Sequence, residues 1–340
     1  MLRDHDFTDY RDRRITVMGL GGFGGGLGAV RFLADRGARV TVTDLRPEAQ
    51  LTESLSQLAD VPVDRWVLGR HDEADFDAAE LVVVNPAVRR DHPLLVRCRE
   101  RGVPLTSEMN LFWQHQRGIV LAVTGSNGKS TTTALLHNIL HQTGRTCWLG
   151  GNLGRSLLPV VDDIATDDFV VLELSSFQLT DLDRLRARPH IAVVTNFAPN
   201  HLDWHGTVEE YRHAKQSLLR WQTDTDVAVL NADDEDVRHW PVRGQTRFFG
   251  LSAMPDLNSR LREWLKLPGR HNLANALAAT TAAMSVGATL DHVRVGLGTY
   301  QPLPHRLQFV GEAAGRRFYN DSLATTPEST LVALEAFTEP

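Results

Sequence analysis

The chain has 340 residues, 42% of them hydrophobic and 23% charged, with a formal net charge of −6. That length is too great for one ordinary small core and predicts two or three domains, while the acidic balance excludes the broad positive field of a general nucleic-acid binder. Two cysteines, Cys98 and Cys147, exclude a disulfide framework, and no apolar run reaches the ~18 residues of a membrane span.

The opening stretch, residues 1–14, is charged and has no apolar signal-peptide core, so a soluble cytoplasmic protein is expected, and since nothing in the sequence demands an oligomer, a monomer. Short β-branched runs then alternate with helical patterns: ITVMGL (15–20), VTVTD (40–44), LVVV (81–84), IVLAVTG (119–125), FVVLEL (169–174), IAVVTN (191–196) and VAVLN (227–231). Runs of this kind predict parallel strands buried on both faces, hence an α/β fold with doubly wound sheets. After the first run, Gly19, Gly21 and Gly24 form G-x-G-x-x-G, and Asp44 ends the next strand. Glycines there let backbone N–H groups approach a diphosphate, and a dinucleotide or a nucleotide sugar would suit the pattern.

A second strand–glycine loop–helix follows about 100 residues later, in AVTGSNGKSTTT. Gly125, Ser126, Asn127, Gly128 and Lys129 can cradle phosphates with backbone donors and one ammonium, and Ser130 or Thr131 can offer a hydroxyl to Mg²⁺. One nucleotide domain rarely needs both loops, so a boundary is expected at 116–118, giving a Rossmann-like domain over 1–117 and a P-loop-type domain over 118–302. Glu173 and His201 lie at or just past the C-terminal ends of strands, where ligands bind in such sheets. Thr207 and Glu210 form a capping box opening a helix to about Trp221, and that helix carries Lys215. QPLP at 301–304 breaks the helical pattern. HRLQFVGE and RRFYND then read as strands, and Thr326-Pro327-Glu328 as a helix start, so residues 303–340 are expected to begin a third, incomplete domain.

TGSNGKST is similar to the phosphate loop of the Mur ligases and of folylpolyglutamate synthase. ELSSFQL (173–179), GGNLG (150–154), LPGRHNLANALAA (267–279), LPHRLQ (303–308) and YNDS (319–322) resemble the glutamate-adding branch of the Mur ligase family. The resemblance implies a UDP-binding Rossmann-like first domain, a central ATP-binding domain and a third Rossmann-like domain that is cut short. It further implies that Glu173, His201, a carbamylated Lys215 and Ser130 hold Mg²⁺, with two ions in all. Asn272, Arg306 and Asp321 would contact ATP. Gly21, Gly22, Phe23, Asp44, Arg46, Asn85, Pro86, Ala87, Asn152 and Ser175 would contact the UDP substrate. Asn85, Ala87 and Phe23 depart from the residues common there, and Leu323 stands where the family often has Lys, which leaves the configuration of the acceptor open.

The implied activity is ATP-dependent amide formation through an acyl phosphate. UDP-N-acetylmuramoyl-L-alanine, glutamate and ATP would be the small-molecule partners, Mg²⁺ the cofactor, and cell-wall precursor synthesis the setting. Little turnover is expected from the shortened chain. Competing readings are a folate-type ligase and a NAD-binding or nucleotide-sugar module without catalysis. The first gives no reason for the Gly19 loop, and the NAD-binding module leaves the second loop unexplained.

Overall fold

The computed structural model describes residues 9–21, 24–322, 324 and 327–337. Gly22, Phe23, Leu323 and Thr326, named above, lie outside the described residues.

Two parallel sheets organise the chain. The first contains β1 (Arg14–Met18), β2 (Arg39–Asp44), β3 (Arg65–Leu68), β4 (Leu81–Val84) and β5 (Leu105–Thr106), in the order β3-β2-β1-β4-β5. The second contains β6 (Ile119–Thr124), β7 (Cys147–Gly151), β8 (Phe169–Glu173), β9 (Ile191–Val194), β10 (Val227–Asn231) and β11 (Gln245–Phe249), in the order β11-β10-β9-β6-β8-β7. The helices are α1 (Gly25–Asp35), α2 (Thr52–Gln57), α3 (Glu73–Asp77), α4 (Pro93–Glu100), α5 (Glu108–His115), α6 (Lys129–His141) and α7 (Ser176–Leu182). After them come α8 (Leu202–His205), α9 (Val208–Arg220), α10 (Pro255–Trp264), α11 (Arg270–Met284), α12 (Leu290–Thr299) and α13 (Pro327–Leu334). Between α12 and α13, β12 (Gln308–Ala313) and β13 (Arg316–Asn320) form an antiparallel hairpin with a register shift between Phe309 and Gly311.

Hydrophobic burial follows from the strand sequences. Every residue of β8 and β9 is buried, as a strand covered on both faces requires. Three apolar clusters result. One side of the second sheet packs on α6, α11 and α12 through Leu135, Ile139, Ala276, Leu277 and Leu297. The outer face of the first sheet packs on α3 and α4 through Phe76, Leu95 and Cys98. The third cluster is continuous across both sheets: Phe32 and Leu33 of α1 and Phe112 of α5 meet Leu158 and Val161 in the short turn segment Leu158–Asp163. The two sheets therefore share a core.

In each sheet the connections reverse direction beside one central strand. β1 lies between β2 and β4, and β6 lies between β9 and β8. Such switch points open a crevice at the C-terminal strand ends, where α/β sheets bind ligands. Both glycine loops sit at these crevices.

Candidate active site

The second crevice is built around residues 125–130. Gly125 has φ 145° and Gly128 φ 79°, and a side chain at either would strike Thr195 Oγ1 or Asn275 Oδ1 at 1.9 and 2.3 Å. The loop is held from β9: Asn196 Oδ1 accepts from the Asn127 amide at 2.8 Å, and Thr195 Oγ1 donates to the Asn127 carbonyl at 2.6 Å. Ser126 Oγ donates to the Ala198 carbonyl at 2.8 Å, and Lys129 begins α6.

Two ammonium groups converge on one carbonyl. Lys129 Nζ donates to Gly125 O at 3.0 Å and to Ser126 O at 2.9 Å, and Lys215 Nζ donates to the same Gly125 O at 2.7 Å. Lys215 is 1% exposed. Burial pushes its pKa well below the ordinary lysine value; the charge of Lys129 pushes the same way and Glu173 opposes. Lys129 is lowered too, first by burial, with Glu173 opposing and Arg306 adding to the shift. The usual solvated position of a helical lysine does not hold for Lys215. It shares the core-facing stripe of α9 with Tyr211 and Leu218, which are also buried.

Glu173 ends β8, beside the loop. Its Oε1 accepts from Asn152 Nδ2 at 3.0 Å, and the Asn152 amide donates to the Glu173 carbonyl at 2.8 Å. Its Oε2 is buried with no partner among the described residues. A buried carboxylate oxygen without a donor is costly unless a cation meets it, so the donor chemistry here fits a metal ion. His201 caps α8 with φ 54°, its ring 5.1 Å from that of Phe177. Burial, then Lys129 and Lys215, lower its pKa, which keeps the imidazole neutral and able to ligate. Among the described residues no three His, Cys, Asp or Glu side chains gather as a metal-binding group. Glu173 and His201 would need oxygen ligands from Ser130 and a modified Lys215 to complete a set.

Ser130 is buried, and Arg306 reaches across from the segment after α12 to donate to its hydroxyl at 3.0 Å. A cavity of about 280 Å³ opens from this point, lined by Asn127, Thr131, Asn272, Tyr300, Arg306 and Asp321 among others. Asn272 is buried and donates to the Pro268 carbonyl at 2.7 Å. Asp321 accepts from the Leu307 amide at 3.0 Å.

The first crevice forms a cavity of similar size, about 290 Å³, lined by Gly21, Asn85, Pro86 and Ala87 on one side and Asn152 and Ser175 on the other. Gly21 is needed there, since a side chain would meet Asn85 Nδ2 at 2.4 Å. Ser175 is engaged as the cap of α7, exchanging hydrogen bonds with Gln178. Asp44 and Arg46 do not line this cavity. They pair with each other at 2.9 Å, and Asp44 also accepts from the Leu20 amide at 3.0 Å. Although burial opposes it, these bonds hold the Asp44 pKa below its ordinary value.

Sequence patterns missed four contributors. Thr195 and Asn196 hold the phosphate loop, and their place at a strand end was the available signal. Glu108 lines the first cavity and accepts from Ser156 across the two sheets; burial raises its pKa to about 7, with the hydroxyl opposing. His205 is buried, lies 2.9 Å from Ser176 Oγ and stacks on Phe177.

Residues 123–259 match the Mur ligase middle domain, and residues 13–107 match the Mur ligase MurD-like, N-terminal domain. A UDP-N-acetylmuramoylalanine--D-glutamate ligase from Roseiflexus sp. (strain RS-1) is 41% identical over 96% of this chain and 76% of its own length. The chain belongs to the Mur ligase family.

A second Mur ligase with the same name, from Geobacillus kaustophilus (strain HTA426), is 39% identical over 96% of this chain and 75% of its own. Among solved structures, the fold is similar to a UDP-N-acetylmuramate-alanine ligase from Thermotoga maritima, with TM-score 0.61 and 23% identity over 96% of this chain and 78% of that one. It is also similar to a UDP-N-acetylmuramate:L-alanyl-gamma-D-glutamyl-meso-diaminopimelate ligase from Neisseria meningitides, with TM-score 0.62 over 86% of this chain and 99% of that one. Mur ligases are ATP-dependent ligases of peptidoglycan synthesis. Among the described residues no helix is long and apolar enough to cross a membrane.

Proposed function

We propose that this chain carries the nucleotide and nucleotide-sugar sites of a ligase that adds D-glutamate to UDP-N-acetylmuramoyl-L-alanine at the expense of ATP. The observation that carries the reading is the meeting of Lys129 and Lys215 on the Gly125 carbonyl, beside a carboxylate whose second oxygen has no partner. In this reading residues 1–117 bind the UDP substrate, 118–302 bind ATP, and 303–340 begin the unit that receives glutamate. The protein acts as a cytoplasmic monomer on small molecules.

Carboxylate attack on a triphosphate brings like charges together, so the protein's work is positioning and charge neutralisation. Lys129 exchanges its two loop carbonyls for phosphate oxygens. Arg306, already on the Ser130 hydroxyl, adds a second cation at the same end of the cavity. Asn272 and Asp321 face the far part of that cavity and hold the nucleoside. Gly21, Asn85 and Asn152 line the path of the UDP-sugar toward Glu173, and Asp44 and Arg46, paired at the end of β2, contact its UDP end.

Ser130, Glu173, His201 and Lys215 would hold Mg²⁺, which when bound supplies the charge that lets the two anions approach. Lys215 takes part as a carbamate: its neutral amine adds to CO₂, forming a C–N bond and releasing a proton, and so presents anionic oxygens. Two cations on one carbonyl are unfavourable, and burial disfavours the charged form of Lys215. Both effects supply the neutral amine that the addition requires.

Calorimetric titration tests the reading. UDP-N-acetylmuramoyl-L-alanine and an ATP analogue should each bind, the second with Mg²⁺ dependence, and NAD⁺ should not. Binding of NAD⁺ with none of the UDP ligand would replace this reading with a dinucleotide-binding module.

A further inference from the structure

A third cavity, of about 40 Å³, lies in the seam between the two sheets and shares Val84, Asn85 and Pro86 with the cavity of the first crevice. It is too small for a nucleotide, whose pockets run to roughly 300–1,000 Å³, and is of the order of one small oxyanion. Three arginines line it, from separate elements: Arg90 from the loop after β4, Arg99 from α4 and Arg184 from the turn after α7. Asp181 is the acid that meets them, pairing with Arg90 at 2.9 Å and Arg184 at 3.6 Å. Arg99 donates to the Arg90 carbonyl and meets no carboxylate among the described residues. The lining thus carries three cations against one anion.

A second observation stands apart from charge. Trp204 of α8 lines the same cavity, with the Arg90 guanidinium 5.4 Å from its ring centre. Its indole Nε1 is buried and has no hydrogen-bond partner among the described residues. An N–H can only donate, and leaving one buried and unpaired is unfavourable. Asn110, 5% exposed, also lines the cavity; its Nδ2 donates to the Asp181 carbonyl at 3.5 Å, and its Oδ1 is buried without a partner among the described residues. Guanidinium forks brought from three elements and an indole N–H without a partner among the described residues are the complement of an anion with several oxygens.

We propose that this seam is a binding site for a small tetrahedral oxyanion of the inorganic phosphate class, held by Arg90, Arg99, Arg184 and the Trp204 indole N–H. Arg90 and Arg99 belong to the first sheet's helices and loops, and Arg184 and Trp204 to the second's. Occupancy therefore ties the two units together beside the first-crevice cavity and away from the glycine loop at 125–130. Asp181 competes with the ligand for two of the arginines, which sets a modest affinity and makes Asp181 the residue that tunes it.

Equilibrium dialysis of labelled inorganic phosphate against the whole chain tests the site. The glycine loop at 125–130 also attracts phosphate, so binding is measured with saturating β,γ-imido-ATP and, in parallel, in the Lys129→Ala chain. One class of phosphate binding should persist in both. Arg99→Gln should weaken it at least tenfold and Trp204→Phe severalfold, while Arg247→Gln, on an exposed edge strand, leaves it unchanged. Asp181→Asn should tighten it severalfold, a gain that misfolding cannot produce. UDP should not displace it. The proposal is overturned if no phosphate binds once the loop is filled. It is equally overturned if Asp181→Asn only lowers stability without tightening phosphate, which would make the cluster a salt-bridge latch, or if UDP competes, which would make the anion part of the neighbouring substrate cavity.

Discussion

Replacing Lys215 by Met should stabilise the fold while disabling the site. The side chain is 1% exposed, its ammonium has one hydrogen bond, to Gly125 O, and the Tyr211 ring centre lies 4.6 Å away. Lys129 donates to that same oxygen, so the two nitrogens lie within about 6 Å of each other. At an effective dielectric constant of 20, two unit charges at that separation repel by about 3 kcal/mol. Against this stand a charged hydrogen bond of about 1.5–3 kcal/mol, a cation–π contact of about 1 kcal/mol and attraction to Glu173. Desolvation then tips the balance, since exchanging buried charges for apolar groups of similar volume often gains 1–4 kcal/mol. Lys215→Met should therefore be about 1–3 kcal/mol more stable than the natural chain at pH 7 in urea unfolding.

The sign with pH follows from linkage. The folded-state pKa of Lys215 lies below the unfolded one, so the unfolded chain binds the extra proton and natural-chain stability rises with pH toward about 10.4. The Met advantage should accordingly be largest near neutrality and disappear above about pH 10.5. Bicarbonate should stabilise the natural chain alone, and Mg²⁺-dependent binding of an ATP analogue should be lost in the variant. A Met chain less stable at pH 7, or an advantage equal at pH 7 and pH 10.5, would refute the reasoning.

Gly128 and Gly144 share φ 79°, but a side chain at Gly144 meets nothing within 4 Å whereas one at Gly128 strikes Asn275. Gly144→Ala should cost about 1 kcal/mol for the left-handed backbone alone, and Gly128→Ala at least 2 kcal/mol, with a tenfold or greater loss of ATP-analogue affinity in calorimetry. Asn152→Ala removes the donor to Glu173 Oε1, leaving both carboxylate oxygens unpaired. Denaturant unfolding should show a loss of about 1–3 kcal/mol, and combination with Glu173→Ala should be less than additive. His205 is pushed down to about 4 by burial, then by the charges of His201, Lys215 and Arg90. Its contribution is complete above the unfolded pKa near 6.5 and is lost as pH falls toward 4. Between pH 7 and pH 5 the stability gap between the natural chain and His205→Gln should narrow by about 2 kcal/mol.

The central strands were legible because burial on both faces and both edges leaves little choice but β-branched and aliphatic residues. All seven strands expected from the β-branched runs are present and occupy the interior positions of the two parallel sheets, and the two expected after residue 303 pair as the β12–β13 hairpin. The four that no pattern revealed are the edges, β3 and β5 in one sheet and β7 and β11 in the other. Gln245–Phe249 shows why: four of its five residues are exposed, so QTRFF carries no apolar run. The phosphate loop was equally legible, because a strand, glycines able to take positive φ and a lysine at the helix start are a local requirement.

What neighbours in sequence could not decide was which side chains face which environment. Lys215 looks solvated by residue type, yet it falls on the buried stripe of α9 and is brought to Gly125, 90 residues earlier in the chain. Asp44 and Arg46 read as ligand contacts, and only the packed structure shows that they also pair with each other, at 2.9 Å, at the end of β2. The orphaned oxygen of Glu173 and the arginine-lined seam exist only because separate elements converge. The strand and loop types were set by short-range sterics and the need to bury apolar surface, both written in consecutive residues. Charge environment and cavity shape depend on long-range packing, which brings groups from both sheets within a few ångströms and takes water away from them.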